Sequence, residues 1–262
     1  MLLDLEPVLF RIGPLAVRWY GVMMALSMGI GFYYLLKHGA KLGLREEFLS
    51  NLALLVVLAG IVGARAIYVL TNWSYYAARP AEIVQLWQGG LSFHGGLLGG
   101  LVAGKIYLDR HGVRWEAVAD LVVPGLAVGY ILVRIANIFN QEILGRPALL
   151  LPFARHPTQI YGSLIGVAVL VLHNFLARRH PPPGYLFWAF IFSYSLLRGL
   201  VEETFRDNPL YLWGYVNNHW GFGFFTLTQL ITPPLLLLAW IMMRRSLARG
   251  KGEKATNSNK GS

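Results

Sequence analysis

The chain has 262 residues, of which 55% are hydrophobic and only 14% charged, with a formal net charge of +10. A soluble domain carries about a quarter charged residues, so a water-soluble globular fold is excluded and a polytopic membrane protein implied, each span needing about 20 mostly apolar residues. With no cysteine, disulfides, thiolate metal centres and a cysteine nucleophile within the chain are excluded as well.

The N-terminus, "MLLDLEPVLF", has acids at Asp4 and Glu6 and no basic cluster before its apolar residues, which argues against a cleaved signal peptide. Apolar runs then predict seven spans, at about 18–36, 50–70, 91–109, 115–137, 157–177, 184–204 and 224–243. Between the second and third, "NWSYYAARPAEIVQLWQGG" is dense in Trp and Tyr, the composition of a short helix lying at a membrane interface. Residues 205–225 are expected to form a small extracytoplasmic cap. The expectation is therefore an all-α membrane fold of about seven helices: one transmembrane domain over 1–245, then a disordered basic tail over 246–262.

Lys and Arg in the connections fall unevenly. Five lie on the N-terminal side (Arg11, Arg79, Arg146, Arg155, Arg206) and thirteen on the other, among them Lys37, Lys41, Arg45, Arg110, Arg114 and six in the tail. The positive-inside rule then puts the N-terminus outside and the C-terminus in the cytoplasm. The basic tail is accounted for by topology and contact with anionic lipid, so no nucleic-acid partner is expected.

This orientation gathers the costly polar groups in the outer half of the membrane: Tyr20, Arg65, His94, Arg134, Asn137, Glu142, Arg146, Gln159, Arg198 and Glu202. Taken singly, each has a structural reading. Arg198 and Glu202, four apart, can neutralise one another on one helix face; Arg65 can snorkel; Asn137 and Gln159 can bond helix to helix; Tyr20 can sit in the aromatic belt. Lys105 and Asp120, toward the inner ends of their spans, read as an ion pair. Taken together, guanidiniums on several spans at one depth suit a phosphate diester, and Gly95 and Gly96 would let backbone N–H groups approach an anion. Residue chemistry alone thus points to an anionic ligand, a phospholipid headgroup.

Six ordered segments go further: "RWYG" (18–21), "GARAIYVL" (63–70), "GGLSFHGGLLG" (89–99), "RIANIFNQEILGR" (134–146), "RHPTQIY" (155–161) and "RGLVEETFR" (198–206). Together they resemble the motifs of the prolipoprotein diacylglyceryl transferases, over nearly the whole chain. Departures are Ala136 and Thr228 at positions where glycine is usual, Gly162 where an acid is common, and an extra residue in 198–206 that leaves Glu202 or Glu203 as the family's glutamate; helical spacing favours Glu202.

The resemblance implies transfer of the diacylglyceryl group of phosphatidylglycerol to the lipobox cysteine thiol of a prolipoprotein signal peptide, giving a thioether and glycerol 1-phosphate, in the bacterial inner membrane with the active site toward the outer leaflet. It implies no metal and no organic cofactor. By motif match, His94, Arg134 and Arg198 are the catalytic candidates, with Arg134 first for the phosphate and Arg198 as second clamp. Asn137, Glu142, Tyr20, Gly95, Gly96, Gly145, Arg146, Glu202 and Tyr194 are the candidates for binding lipid. His94 is either a general base for the thiol or an orienting group, the arginines then lowering the thiol pKa. Two rival readings are a membrane anion or lipid transporter and an intramembrane protease; the chain lacks the repeat expected of the first and the G-x-S-x-G element of a serine enzyme.

Overall fold

A computed structural model describes residues 5–13, 15–150 and 154–259. Its elements are a hairpin of β1 (Val8–Ile12) and β2 (Leu15–Arg18), then α1 (Trp19–Gly39), α2 (Glu46–Thr71), a single turn α3 (Trp73–Tyr76), α4 (Phe93–Arg110), α5 (Trp115–Phe139), α6 (Thr158–Ala177) and α7 (Tyr185–Leu197). A π-turn over Arg198–Glu202 leads into the short α8 (Glu203–Phe205). A second hairpin, β3 (Leu210–Asn217) and β4 (Phe222–Thr226), precedes α9 (Leu227–Asn259). The fold is thus mostly helical, in keeping with the expected all-α membrane class, and the described residues add two small antiparallel two-stranded sheets. Residues 8–18 and 210–226 are rich in Val, Phe, Tyr and Trp, which favour extended backbone, and Gly13 (φ 58°) and Gly221 (φ 66°) supply left-handed conformations in their connections.

Among the described residues, five helices are long and apolar enough to cross a membrane: Trp19–Leu42, Glu46–Thr71, Trp115–Phe139, Thr158–Ala177 and Leu227–Gly252. The expected spans at 91–109 and 184–204 form helices that fall short of that standard. Five glycines, Lys105, Asp109 and Arg110 dilute α4, and α7 is only 13 residues long before the π-turn interrupts it. The expected interfacial helix at 72–90 is also corrected, to one α turn and two 3-10 turns; Pro80 and the left-handed Gly89 and Gly90 break it. In the tail, helix α9 is described as far as Asn259. Ser246 Oγ donates to the Pro183 carbonyl at 2.8 Å, and the Ala, Arg, Lys and Glu that follow propagate an already nucleated helix.

The chain divides into two compact units, Leu35–Val118, and Met1–Tyr34 together with Ala119–Ser262. In the first, α2 and α4 pack backbone to backbone. A Cβ on Gly95 would collide with the Gly63 carbonyl, and one on Gly63 with the Gly95 carbonyl, so small residues set the approach of the two helices. Arg65, buried, does not snorkel. Its guanidinium donates to the carbonyls of Ile83 (2.7 Å), Gly89 (2.7 Å), Gly90 (3.0 Å) and Glu82 (2.5 Å) and lies over the Tyr76 ring, fastening residues 82–90 to α2.

In the second unit, Val123, Ala127, Ile165, Val169 and Phe190 form a core shared by α5, α6 and α7. The expected Lys105–Asp120 pair is replaced by two local arrangements. Lys105 bonds Asp109 one turn along its own helix at 2.5 Å, and Asp120 accepts the N–H groups of Gly184 and Phe187 at 2.7 Å each, satisfying orphan donors at the start of α7 as a carboxylate does at any helix N-terminus.

Candidate active site

The C-terminal end of α5 carries Arg134 and Asn137 three residues apart, on one face. Both are buried, at 5% and 2% exposure. Beyond Phe139 the chain turns sharply, with Gln141 (φ 55°) and the β-branched Ile143 (φ 58°) in left-handed backbone, a conformation that costs free energy and clusters at functional sites. The turn is held from the start of α6: Gln159 Nε2 donates to the Glu142 carbonyl (2.7 Å) and Thr158 Oγ1 to that of Ile143 (2.5 Å). The Glu142 side chain is thereby presented to Asn137, whose Nδ2 donates to its carboxylate at 2.9 Å.

Arg134 has four of its five N–H donors committed. Nη2 donates to Glu202 Oε1 at 2.7 Å and to the Tyr130 hydroxyl at 3.1 Å, Nε to Glu202 Oε2 at 3.3 Å, and Nη1 to Asn137 Oδ1 at 3.2 Å. The Tyr130 hydroxyl donates in turn to Glu202 Oε2, and its ring lies 4.6 Å from the guanidinium. Gly162 on α6 leaves the space for this arrangement. A Cβ there would stand 2.6 Å from Cδ and Nε of Arg134 and 2.8 Å from Glu202 Oε2.

The expected Arg198–Glu202 pair is therefore corrected, and the π-turn is the reason. It spans those five residues and accommodates one residue more than an α-helix would over the same rise. Glu202 rotates away from Arg198 and toward Arg134, and Glu203, five residues on, takes its place at 3.3 Å from Arg198 Nη2. Both carboxylates are fully buried. The same turn leaves the Gly199 carbonyl to be satisfied from outside, by Gln229 Nε2 of α9 at 3.1 Å. Arg206 sits between the two acids, 3.3 Å from Glu203 and 3.9 Å from Glu202. Arg198 Nη1 donates to the Tyr194 hydroxyl at 3.1 Å, while its buried Nε has no hydrogen-bond partner. Three guanidiniums thus share two carboxylates, an excess of one positive charge around a donor with nothing to bond.

Gly145 and Arg146 run beside this cluster. Gly145 bridges to Arg206 as an isolated β-pair, and Arg146 N–H donates to the Phe205 carbonyl at 2.7 Å. A Cβ at Gly145 would collide with the His156 carbonyl, so glycine is required there. The Arg146 side chain is buried, with Nη2 on the Asn208 carbonyl (2.8 Å), Nη1 3.7 Å from Asp207 and Nε without a partner. Tyr20, at the start of α1, is half-buried beside Trp19, whose ring stacks on Phe139 at 4.7 Å.

His94, Gly95 and Gly96 belong to the Leu35–Val118 unit. The His94 ring is exposed on the first turn of α4, edge-on to Phe93 at 5.8 Å. The two glycine N–H groups are not free for an anion: Gly95 donates to Ser92 Oγ (3.4 Å), the helix cap, and Gly96 to the Ser92 carbonyl (3.0 Å). Their lack of side chains serves the packing on α2.

Sequence reasoning missed Tyr130 and left the role of Glu203 open. Tyr130 stands one helical turn before Arg134, the i, i+4 spacing at which side chains meet, and that signal was available. The assignment of Glu203 to Arg198 depends on a π-turn, for which neighbouring propensities give no sign.

Residues 7–245 match the family model for prolipoprotein diacylglyceryl transferase. Curated relatives bear the name phosphatidylglycerol–prolipoprotein diacylglyceryl transferase. One from Thermoanaerobacter sp. (strain X514) is 49% identical over 93% of this chain and 95% of its own length. One from Thermus thermophilus is 36% identical over 93% and 98%, and one from Geobacter sulfurreducens 34% identical over 91% and 94%. With a family model spanning nearly all of it and such relatives matched almost end to end, the chain belongs to the prolipoprotein diacylglyceryl transferase family.

Proposed function

We propose that this protein is a membrane transferase that moves the diacylglyceryl group of phosphatidylglycerol onto the lipobox cysteine of a prolipoprotein. The cysteine sulfur attacks the glycerol carbon that carries the phosphate, the carbon–oxygen bond breaks, a thioether forms, and glycerol 1-phosphate leaves. The thiol proton passes to a base. The observation that carries this reading is the surplus guanidinium charge of Arg134, Arg198 and Arg206 over Glu202 and Glu203, with Arg198 Nε unpaired. Fixed positive charge of this kind stabilises a phosphate monoester as its bond to carbon lengthens, and it raises the thiolate fraction of a nearby thiol.

In this reading the arginines divide the work in an order opposite to the sequence-based ranking. Arg198 takes the phosphate through its unpaired Nε, and Arg134, with four of its five donors held by Glu202, Tyr130 and Asn137, holds the field and the neighbouring polar groups. Asn137 and Glu142 position the glycerol hydroxyls, with Tyr194, Tyr20, Gly145 and Arg146 framing the headgroup. His94 serves as base or as lipid-orienting group.

The proposed topology has seven crossings. To the five long apolar helices it adds α4, whose 18 residues span about 27 Å at 1.5 Å each, close to the hydrocarbon thickness, and the run from α7 through α8. An odd number of crossings puts the termini on opposite sides, and the excess of Lys and Arg places the C-terminus in the cytoplasm. The site then faces the outer leaflet of the inner membrane, where a prolipoprotein signal peptide presents its cysteine. The test is incubation of purified protein with phosphatidylglycerol and a lipobox peptide. A gain by the peptide of one diacylglyceryl mass is expected, and Arg198→Ala should lower the rate by about 10²–10³-fold, the usual effect of removing one preorganised transition-state donor. Peptide cleavage, or no change in peptide mass, would overturn the assignment.

A further inference from the structure

The β3–β4 hairpin is apolar on both faces. Trp213 is 82% exposed and Leu212 71%, and Tyr211, Tyr215, Trp220 and Phe224 are exposed as well. In water a ribbon of this kind is an aggregation hazard, which soluble proteins blunt with charge. Here there is no Asp, Glu, Lys or Arg anywhere from 208 to 243. The uncharged stretch includes the whole hairpin and runs without interruption into the apolar part of α9.

The hairpin has little freedom to stand away from that helix. Thr226 ends β4 and Leu227 begins α9. Between them is a reciprocal cap in which the Thr226 N–H donates to Gln229 Oε1 (3.1 Å) and the Gln229 N–H to Thr226 Oγ1 (3.3 Å), the side-chain exchange that fixes a chain's entry into a helix. The connection between the strands is tied down as well: the N–H groups of Leu149 and Leu150 donate to the carbonyls of Asn218 (3.4 Å) and His219 (3.2 Å), and Gly223 of β4 lies against the Arg146 guanidinium. α9 is long and apolar enough to cross a bilayer, so its first turn lies where hydrocarbon gives way to headgroups. A strand capped onto that turn begins at the same level.

We infer that the β3–β4 hairpin is seated in the bilayer interface, with Leu212 and Trp213 in contact with lipid acyl chains, and does not project into water as a cap. Trp and Tyr, each an apolar ring with one polar edge, are the side chains enriched at that depth. The occupant of the exposed face is therefore the lipid surface itself. The inference rests on the membrane-spanning fold and not on the reaction, so it stands or falls independently of the transferase reading.

The absence of native cysteine makes the test direct. Trp213→Cys in the full chain is spin-labelled, reconstituted in nanodiscs of phosphatidylethanolamine and phosphatidylglycerol, and probed by power saturation with oxygen, which partitions into acyl chains, and with a water-soluble nickel chelate. Labels at Glu47→Cys and Leu237→Cys serve as water and lipid references. Oxygen collisions should outweigh nickel collisions at 213, as at 237. Nickel dominance as at 47 would show a water-facing hairpin, and low access to both reagents would show a face covered by protein; either overturns the inference. Leu212→Cys, read in the same way, guards against a local failure of the first variant to fold.

Discussion

Arg134 and Glu202 are each nearly worthless without the other. A guanidinium and a carboxylate removed from water are tolerated because their attraction and shared hydrogen bonds offset desolvation, and here the Tyr130 hydroxyl and Asn137 complete the set. Loss of one partner leaves the other charged, buried and unpaired. Glu202→Ala is expected to destabilise the protein by about 3–5 kcal/mol, seen as a large fall in the midpoint of thermal unfolding in detergent. Tyr130→Phe keeps the ring over Arg134 and deletes only the hydroxyl. Its expected cost is smaller, about 1–3 kcal/mol for one unsatisfied buried group. If Glu202→Ala and Tyr130→Phe melted alike, at the wild-type temperature, the pair would not be the structural unit described. At this scale the sequence is legible as an inventory: the motifs identify Arg134, Asn137, Glu142, Arg198 and Glu202, and all five are in or beside the buried cluster. Who bonds whom is less legible, because a partner is chosen by rotation about a helix axis, and one added residue changes that rotation by about 100°.

That rotation belongs to an element, the π-turn at Arg198–Glu202. Its extra residue gives each of two arginines its own carboxylate, and its widened ring exposes the Gly199 carbonyl to Gln229 of α9. Deleting Leu200, an exposed residue within the turn, should restore an α-helix and bring a single acid opposite Arg198 while drawing the other away from Arg134. The expected result is a folded protein with transfer to the lipobox peptide lowered at least 10²-fold, the scale of displacing one transition-state donor. Wild-type turnover in that variant would show the register to be immaterial. The α2–α4 contact shows the opposite case. Its glycines are conspicuous in the sequence, yet their use is concealed, since glycine beside histidine suits an anion site and a helix crossing equally well. Only the close approach of Gly63 to Gly95 decides for packing.

For the whole molecule, hydropathy conveys the class and the long spans, and it fails where packing and apolarity part company. α4 is accepted as a helix through its glycine contacts with α2, although its composition is weakly apolar, and the run from α7 to α8 is interrupted by the π-turn and carries Arg198, Glu202 and Glu203. Both hairpins escaped notice because short apolar runs beside a span read as its extension. Topology is therefore best tested by chemistry that ignores apolarity. Single cysteines at Arg79, in the connection before α4, and at Lys41, in the connection between α1 and α2, are both exposed and have no native thiol to compete. In the proposed seven-crossing topology five basic residues fall on one side against thirteen on the other, a strong sorting signal, because each Lys or Arg that must cross opposes translocation. A membrane-impermeant maleimide applied to intact spheroplasts should label Arg79→Cys at once and Lys41→Cys only after permeabilisation. The reverse pattern would turn the arginine cluster toward the cytoplasm, away from the face on which exported prolipoproteins arrive, and the charge asymmetry would then have to be explained by something other than insertion.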